Sequence, residues 1–445
     1  MITRSITVDF SQKCGRIKPL NGICLGPRFD TLVPLDFTEE YKELGVSFVR
    51  TYSSELPPES AYYIDLSRVF PDPMLDERFA ESYDFRLADA RLCAVKDTGA
   101  AIYLALGGAG DGGHPSAPHV AAEKWARIAE RIILHYTRGW GGGFKCPVKL
   151  VEIWPGADTP SGFLGGADAY SRFYITVSRH LKAAFPTLKV GAYSVGGFAS
   201  LNRYNVKDEE RAYVPFLEAF LASLRREEGV PLDFLSWRAY VDSPEELSLH
   251  ATYAKNYLSQ YGFRRTLSVV SELDLRELGE PNRRSRSYPA RLASVLMNTA
   301  HAPIDLMLYS TGYPYSLKNA LFTSDDCLSP HRYSAFGVMS AYSLLYRLGT
   351  RVDTGENFRR ELYTLGAVSA SDGAVLIATD GYSGTLEISV SGGDFDTYSI
   401  KGMLGGGKRG AGFSTEEGDI PLGCGSFTLK VGKSEIYLIT LTRRG

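Results

Sequence analysis

The sequence predicts an α/β fold in which a closed (β/α)8 barrel is followed by an antiparallel β-sandwich. Eight short apolar segments alternate with eight longer segments of helical period, from about residue 20 to about residue 350. Most of the apolar segments contain no alternating polar residues, as expected for strands that are covered on both faces. After Gly349 the pattern changes to short strands separated by Gly, Asp and Ser turns.

The predicted barrel strands are rich in β-branched and aromatic residues, and each is followed by a predicted helix. The strands are 22–26, 47–51, 101–106, 149–154, 189–193, 233–237, 268–271 and 305–309. The helices show apolar residues at steps of three or four, such as Phe173, Val177 and Leu181. They are 37–44, 85–98, 119–137, 167–185, 210–228, 244–261, 287–300 and 331–348.

Eight strand–helix units of this kind close naturally into a TIM barrel. The main alternative is an open doubly wound sheet, which requires a Gly-rich phosphate-binding turn after an early strand. The first predicted strand continues as GICLGP, which is not such a turn. We therefore expect the barrel to span residues 12–349.

The second domain is predicted to span residues 350–445. Its predicted strands are 363–368, 374–378, 384–390, 397–400, 426–430 and 435–440. The opening stretch of the chain also alternates in the manner of a strand, and we expect residues 2–10 to pair with the sandwich rather than with the barrel.

The composition excludes several classes of protein. A chain of 445 residues with 44% hydrophobic and 12% aromatic residues is neither disordered nor fibrous. Its 49 Lys and Arg balance 51 Asp and Glu, so no net field draws it to nucleic acid or to an acidic membrane. No apolar run reaches the roughly 20 residues of a membrane span, and the amino terminus lacks a signal-peptide segment. We expect a cytoplasmic protein.

Cysteine and histidine spacing gives no support for a bound metal or cofactor. The six cysteines lie far apart without a CxxC pair, and the seven histidines form no pair with zinc spacing. The nucleotide-binding pattern GxxxxGK[ST] is also missing. We therefore expect reduced thiols, no metal and no cofactor.

The active site of such a barrel lies at the carboxyl ends of the strands. The polar and aromatic residues predicted to follow strands 2, 4, 6, 7 and 8 are Arg50, Tyr52, Trp154, Asp158, Trp237, Arg238, Tyr240, Glu272 and Tyr309. Aromatic rings beside a few polar groups suit a sugar, whose C–H face packs on the ring. The alternative for the tryptophans and tyrosines is that they fill the core.

Glu272 follows the apolar run 267–270, so its carboxylate should project at the mouth of the barrel. A charged residue there is costly unless it is paired or used. One interpretation is a salt bridge at the rim with Arg50 or Arg238. The functional interpretation is a nucleophile that attacks an anomeric carbon, with a nearby arginine favouring its ionised form.

Several motifs resemble glycoside hydrolase family 39, which belongs to the clan of retaining TIM-barrel glycosidases and includes β-xylosidases and α-L-iduronidase. The resemblance covers almost the whole chain. It is carried by DLSRVFPD (65–72), SYDF (82–85), KLVEIWPGAD (149–158), PLDFLSWRAY (231–240) and LSVVSEL (267–273). It implies cleavage of an O-glycosidic bond in a carbohydrate substrate with Glu272 as the nucleophile, and it is compatible with a homo-oligomer.

The chain departs from the family pattern at the proton donor. Strand 4 of the family reads E-[IV]-W-N-E-P, and the second Glu is the general acid/base. Here Glu152 and Trp154 match, but Gly156 stands where the acid/base belongs. Family histidines near the ends of strands 2 and 6 are replaced by Tyr52 and Arg238, and Leu273 replaces the tryptophan that often follows the nucleophile.

A retaining glycosidase needs two carboxyl groups about 5 to 5.5 Å apart, and Gly156 cannot supply one. Glu152 lies four residues earlier in the strand, so we expect it to be structural. Asp158 lies in a loop that could fold inwards, and it is the candidate for a displaced acid. Arg238 could either bind a carboxylate- or sulfate-bearing sugar or neutralise Glu272.

Two functions of different classes therefore stay open. The first is a glycoside hydrolase with Glu272 as nucleophile and a non-standard proton donor. The second is an inactive pseudo-glycosidase that binds carbohydrate or acts as a scaffold, which the changes around the pocket favour. A transferase or lyase-like reaction with the same nucleophile is a third, and the fold alone decides among none of them.

Overall fold

The computed structural model describes residues 3–29, 35–54, 56–108, 116–275, 287–310, 321–323, 331–332, 334–355, 361–404, 415–422 and 425–443. Within these residues the chain forms a closed barrel of eight strands and a separate nine-stranded sheet. This confirms the predicted fold class. It also excludes the open doubly wound sheet, because barrel strand 8 pairs with barrel strand 1 through Tyr309 and Ile23.

The eight barrel strands follow one another in chain order, and all neighbouring pairs are parallel. Barrel strands 1 to 8 are Gly22–Cys24, Phe48–Arg50, Ala101–Leu106, Val148–Ile153, Lys189–Val195, Phe234–Val241, Leu267–Leu275 and Leu306–Tyr309. Each overlaps the predicted segment. Their side chains are almost all buried, because the helices cover the outer face and side chains from opposite strands fill the interior.

Eight helices follow the strands and overlap the predicted ones. They are Thr38–Leu44, Arg86–Asp97, Ala122–Arg138, Gly166–Ala184, Asp208–Arg226, Pro244–Gln260, Tyr288–Thr299 and Ser334–Leu348. Short helical turns are Pro58–Ala61, Leu66–Val69, Ala80–Ser82, Trp140–Gly142 and Ala199–Leu201. Local signals set the boundaries: Ser243 accepts a hydrogen bond from the Glu246 backbone N–H at 3.1 Å, and Pro244 occupies the first position. No helix in the described ranges combines the length and the apolar character that crossing a bilayer requires.

The C-terminal sheet includes the first strand of the chain. Its strands are Thr3–Arg16, Thr350–Asp353, Leu362–Val368, Asp372–Asp380, Gly384–Ser391, Thr397–Leu404, Thr415–Pro421, Ser426–Val431 and Ser434–Thr442. Thr3–Arg16 pairs antiparallel with Thr350–Asp353 and parallel with Gly384–Ser391, so it joins two parts of the sheet. The strands Thr350–Asp353 and Thr415–Pro421 were not predicted; the second has the sequence TEEGDIP and pairs on one side only, at an edge.

The sheet folds over its own apolar core and also packs on the barrel. Val8, Val375 and Ile439 belong to an inner cluster that strands from distant parts of the sheet share. The opposite face contributes residues such as Leu376 and Leu438 to the same core as the barrel helices. The helices Tyr288–Thr299 and Ser334–Leu348 form most of this contact. The barrel and the sheet are therefore joined by a continuous apolar interface.

Four of the six cysteines lie within the described residues, and each is a free thiol. Cys24 is buried, Cys146 is partly buried, and Cys14 and Cys93 are exposed. Cys327 and Cys424 lie outside the described residues.

Candidate active site

Arg50, the last residue of barrel strand 2, binds two carboxylates inside the barrel. Its Nη1 lies 2.8 Å from Glu272 Oε1, and its Nη2 lies 2.7 Å from Glu152 Oε2. Arg50 Nε also donates to Glu152 Oε2, at 3.0 Å. All three side chains are 0% exposed. Because buried charges are tolerated only when they are paired and hydrogen-bonded, Arg50 is the group that allows both carboxylates to be buried.

Glu152 is fully bonded within the barrel interior. Its Oε1 accepts hydrogen bonds from Ser194 Oγ at 2.9 Å and from Ser236 Oγ at 2.6 Å. With Arg50 on its other oxygen, the carboxylate has donors on both oxygens, and its side chain is fully buried. Glu152 therefore has the structural role expected from its place in strand 4.

Glu272 lies in barrel strand 7 and is surrounded by donors. The backbone N–H of Ser54 donates to Oε1 at 3.0 Å, and the Ser54 hydroxyl donates to Oε2. Tyr240 OH donates to Oε2 at 3.4 Å, and Arg238 Nε lies 3.7 Å from the same oxygen. The carboxylate is thus held in one orientation, its charge is compensated by two arginines, and Ser54 covers it.

A cavity of about 530 Å³ lies at the carboxyl ends of the strands, next to this carboxylate. This volume is in the usual range for small-molecule sites, about 300–1,000 Å³. Glu272 does not line the cavity itself. Ser54, Arg238 and Tyr240, which contact Glu272, do line it. The lining side chains include Tyr52, Ser54, Tyr62, Trp154, Tyr213, Arg238 and Tyr240. Within the described residues, no group of His, Cys, Asp or Glu is arranged to hold a metal ion.

The turn after barrel strand 4 carries Gly156 at the position where the sequence comparison with family 39 expects an acid/base. Trp154 and Gly156 have φ values of 58° and 73°, in the left-handed region that favours glycine. A Cβ on Gly156 would lie 2.8 Å from Nη2 of Arg238. The guanidinium of Arg238 and a side chain at position 156 therefore compete for the same space.

Asp158 is buried beside this turn and does not line the cavity. Its Oδ2 accepts a hydrogen bond from the backbone N–H of Gly196 at 2.9 Å, and its Oδ1 accepts none from the described residues. Burial raises the pKa of the carboxyl to about 7, against the weaker opposing effects of the Gly196 N–H and Arg238. Asp158 is consequently part-protonated near neutral pH, but it faces the protein backbone.

The cavity brings together only some of the residues expected from the sequence. Tyr52, Trp154, Arg238 and Tyr240 line it, whereas Arg50, Trp237 and Tyr309 do not. The indole N–H of Trp237 donates to Ser268 Oγ at 3.0 Å, and the ring packs against Phe198 between barrel and helices. Tyr309 OH shares a hydrogen bond of 2.6 Å with Tyr288 OH. These two aromatic side chains fill the core in the structure.

Sequence reasoning missed Ser54, Tyr62 and Tyr213. Ser54 follows the predicted strand end by only a few residues, but its bond to Glu272 requires the loop to fold back over the barrel. Tyr62 reaches the cavity because it forms an isolated antiparallel bridge with Tyr52, and the two rings lie 4.5 Å apart. No local sequence signal identifies contacts of this kind.

The barrel with its appended sandwich is the fold of a class of solved structures, the (β/α)8-barrel glycoside hydrolases. Among solved structures, this chain is similar to a glucosidase from Croceicoccus marinus, with a TM-score of 0.81, 21% identity and coverage of 100% of both chains.

Two further solved structures belong to glycoside hydrolase family 39. The family 39 enzyme from Xanthomonas axonopodis pv. citri has a TM-score of 0.70 and 15% identity, over 99% of this chain and 97% of that one. The family 39 β-xylosidase from Caulobacter crescentus has a TM-score of 0.68 and 14% identity, over 99% of this chain and 100% of that one. None of the protein-family models matches the sequence, and no curated protein matches it. The likeness confirms a fold of the family 39 kind.

Proposed function

We propose that this protein is a glycoside hydrolase that cleaves O-glycosidic bonds with Glu272 as the nucleophile. The observation that carries the proposal is the position of this carboxylate in strand 7, held by Arg50 at 2.8 Å and by Tyr240 at 3.4 Å beside the cavity. The aromatic lining suits a sugar ring. The similar solved structures of a glucosidase and a β-xylosidase support the choice of reaction.

In the proposed reaction, Oε2 of Glu272 attacks the anomeric carbon after the Ser54 hydroxyl has moved away from it. The glycosidic bond breaks with its electron pair on the leaving oxygen, and a glycosyl ester forms on the enzyme. Arg50 keeps Oε1 in place during the attack, and Tyr240 remains close to the attacking oxygen. Water then attacks the anomeric carbon of this ester, the bond from that carbon to Oε2 breaks with its electron pair on the Glu272 carboxylate, and the water's proton passes to the solvent, which releases the sugar.

The missing acid/base restricts the substrates. A general acid contributes about 10²- to 10⁴-fold in rate, and it matters least when the leaving oxygen is already stable as an anion. We therefore propose glycosides with good leaving groups, such as phenolic glycosides, as substrates. Asp158 is the candidate for a displaced acid, because its pKa of about 7 keeps a proton available. It can act only if the turn that carries it moves towards the cavity.

The test is a panel of α- and β-linked aryl glycosides with leaving groups of different acidity. Release of the phenol and a glycosyl adduct seen by intact-mass spectrometry are expected for the wild type. Both should vanish in Glu272→Gln and persist in Glu361→Gln, a control at an exposed position. Asp158→Asn should slow only the substrates with poor leaving groups. A wild-type protein that releases no phenol and forms no adduct would remove the proposal.

A second candidate function is carbohydrate binding without turnover. It is favoured by the complete burial of Glu272, both oxygens of which accept hydrogen bonds from Ser54. The position of the Arg238 guanidinium favours it too, because Nη2 would lie 2.8 Å from a Cβ at position 156 and so occupies the space of an acidic side chain there. Calorimetry distinguishes it from hydrolysis: sugar binding that is unchanged in Glu272→Gln, without phenol release, supports a binder.

A further inference from the structure

Arg238 is a buried cation whose hydrogen-bonding groups are not used. Its side chain is 8% exposed, yet it makes no hydrogen bond to any residue that the structure describes. The nearest carboxylate oxygen, Glu272 Oε2, lies 3.7 Å from Nε, which is too long for a hydrogen bond. Of the five N–H donors of this guanidinium, the one on Nε is buried without an acceptor among the described residues, which costs free energy. Among the residues that the structure describes, the site therefore provides no hydrogen-bond acceptor for Arg238.

The guanidinium group faces the cavity. Arg238 lines it together with Tyr52, Tyr240 and Gly156. Because Gly156 has no Cβ, Nη2 lies over bare backbone, where a Cβ would approach to 2.8 Å. Glycine at position 156 thus leaves room for the guanidinium and leaves its outer nitrogens open to a ligand.

Charge balance with Glu272 explains only part of this arrangement. Arg50 is shared between Glu152 and Glu272, so Arg238 supplies the positive charge that balances the second carboxylate. The carboxylate takes its hydrogen bonds from Arg50, Ser54 and Tyr240, however, and none from Arg238. Glu272 therefore explains the positive charge of Arg238 at this place, but it does not provide acceptors for the N–H groups of Arg238.

We propose that Arg238 binds an acidic group of the ligand, either the carboxylate of a uronic acid or a sulfate ester. The planar fork of a guanidinium matches two oxygens of such a group and forms two parallel hydrogen bonds. Lys207 also lines the cavity, but it pairs with Glu209 at 3.7 Å, and Glu209 and Glu210 line the cavity too. The guanidinium of Arg238 is therefore the cation that would bind the acidic group. This inference rests on the proposal that the cavity binds sugar, and it names the class of sugar.

The experiment compares neutral and acidic forms of one sugar. The probes are 4-nitrophenyl β-D-glucoside, 4-nitrophenyl β-D-glucuronide and 4-nitrophenyl β-D-glucoside 6-sulfate, with the α-anomers as a second set, and their binding is measured by calorimetry. The wild type should bind at least one acidic probe about 10-fold more tightly than its neutral counterpart, as one bidentate contact provides. A preference for the glucuronide identifies a carboxylate, and a preference for the sulfate identifies a sulfate ester.

Variants show whether the preference comes from the guanidinium fork. Arg238→Met should abolish it, and Arg238→Lys, which keeps the charge but not the fork, should lose most of it. Arg78→Met removes one positive charge from an exposed site and should keep it. Circular dichroism and the melting temperature establish whether each variant is folded. If Arg238→Met does not fold, the difference between acidic and neutral probes in binding to the wild type decides the inference by itself.

Three results would overturn the inference: equal binding of neutral and acidic probes by the wild type, failure of every acidic probe to bind, or a preference that survives in folded Arg238→Met. Its failure differs from failure of the proposed hydrolysis. If the protein releases phenol from neutral glycosides but does not prefer acidic probes, only the proposed role of Arg238 is contradicted. If the protein prefers acidic probes but releases no phenol and forms no adduct, the proposed hydrolysis is contradicted and the binding of an acidic ligand is supported.

Discussion

Arg50 is the residue on which the buried charges of the barrel depend. Without it, Glu152 and Glu272 would be buried without the cation they share. Breaking a buried ion pair by removing one partner costs about 3–5 kcal/mol. We expect Arg50→Met to lower the free energy of unfolding by this amount in a urea titration at pH 7. Arg86→Met removes an exposed ion pair with Asp84 and should hardly change the midpoint; equal effects of the two substitutions would contradict this role.

Asp158 makes the stability of the fold depend on pH. Burial raises its pKa to about 7 in the folded state, above the ordinary value of 3.8. The folded protein therefore binds more protons than the unfolded chain between about pH 4 and pH 7, and this contribution to stability is lost as the pH rises through that window. We expect Asp158→Asn to gain stability relative to the wild type from pH 5 to pH 8, by a few kcal/mol at about 1.4 kcal/mol per pKa unit.

The measurement is the urea midpoint of both proteins at pH 5, 6, 7 and 8. Asparagine keeps an oxygen that can accept the hydrogen bond from Gly196 and does not titrate in this range. Parallel pH profiles of wild type and variant would show that this carboxyl does not titrate in the folded state.

The sequence predicted single positions of the candidate site better than its contacts. An acidic residue directly after an apolar run gave the expectation that Glu272 projects at the barrel mouth, with Arg50 as one of two possible partners. Arg50 does bind Glu272, but the Glu272 side chain is 0% exposed and does not line the cavity. The expected rim salt bridge is instead completely buried, because Glu152 and two serines complete the hydrogen bonds inside the barrel. The contact between Ser54 and Glu272 depends on a loop path that one strand's sequence does not encode.

At the scale of elements, the turn after barrel strand 4 determines whether the site can have an acid. Gly156→Glu alone should give no gain, because its Cβ would meet Nη2 of Arg238. We expect the double substitution Gly156→Glu with Arg238→His to increase hydrolysis of aryl glycosides with poor leaving groups by about 100-fold, as general acids do. Activated dinitrophenyl glycosides should gain little, since they need no proton.

The matched control is Gly156→Gln with Arg238→His, which makes the same steric change and carries the same left-handed φ without a carboxyl group. The comparison of initial rates between the two double variants isolates the proton donor. Equal rates would mean that a carboxyl group at this turn does not reach the leaving oxygen.

Strands were predicted from apolar runs, and their ends were therefore misplaced where polar residues continue a strand. The segment 268–271 was expected to end before Glu272, yet barrel strand 7 runs to Leu275. Glu272 pairs with Arg238 of strand 6, and Asp274 pairs with Tyr240, after a register shift beyond Val270. Such an irregularity redirects side chains, so Glu272 meets Arg50. Pairing across strands, which a single segment does not show, sets these ends.

At the scale of the whole molecule, alternation of strands and helices predicted the barrel, and the change of pattern predicted the sandwich. The packing of the sandwich against the barrel could not be predicted, because it depends on which face of each strand contacts which helix. Leu376 and Leu438 belong to the core of the barrel helices, and Tyr363 OH donates to Glu245 Oε1 at 2.9 Å. We propose that the two domains, the barrel at residues 12–349 and the sandwich at residues 350–445, unfold together.

The first strand of the chain provides the test of this coupling. Val8 is 0% exposed in the inner core of the sheet, so Val8→Asp buries an unpaired charge and should destabilise the sheet by more than about 3 kcal/mol. The neighbouring Thr7 is exposed, and Thr7→Asp is the matched control.

All 4 tryptophans of the chain, Trp125, Trp140, Trp154 and Trp237, precede residue 350, so their fluorescence reports on the barrel alone. If the sheet and the barrel unfold as one unit, Val8→Asp lowers the urea midpoint of the tryptophan signal as much as that of the far-ultraviolet circular dichroism, whereas Thr7→Asp shifts both only slightly. A tryptophan midpoint that stays at the wild-type value while the dichroism changes earlier would show two independent domains. The barrel would then hold its site without the sheet, and the apolar interface along its last two helices would contribute little to its stability.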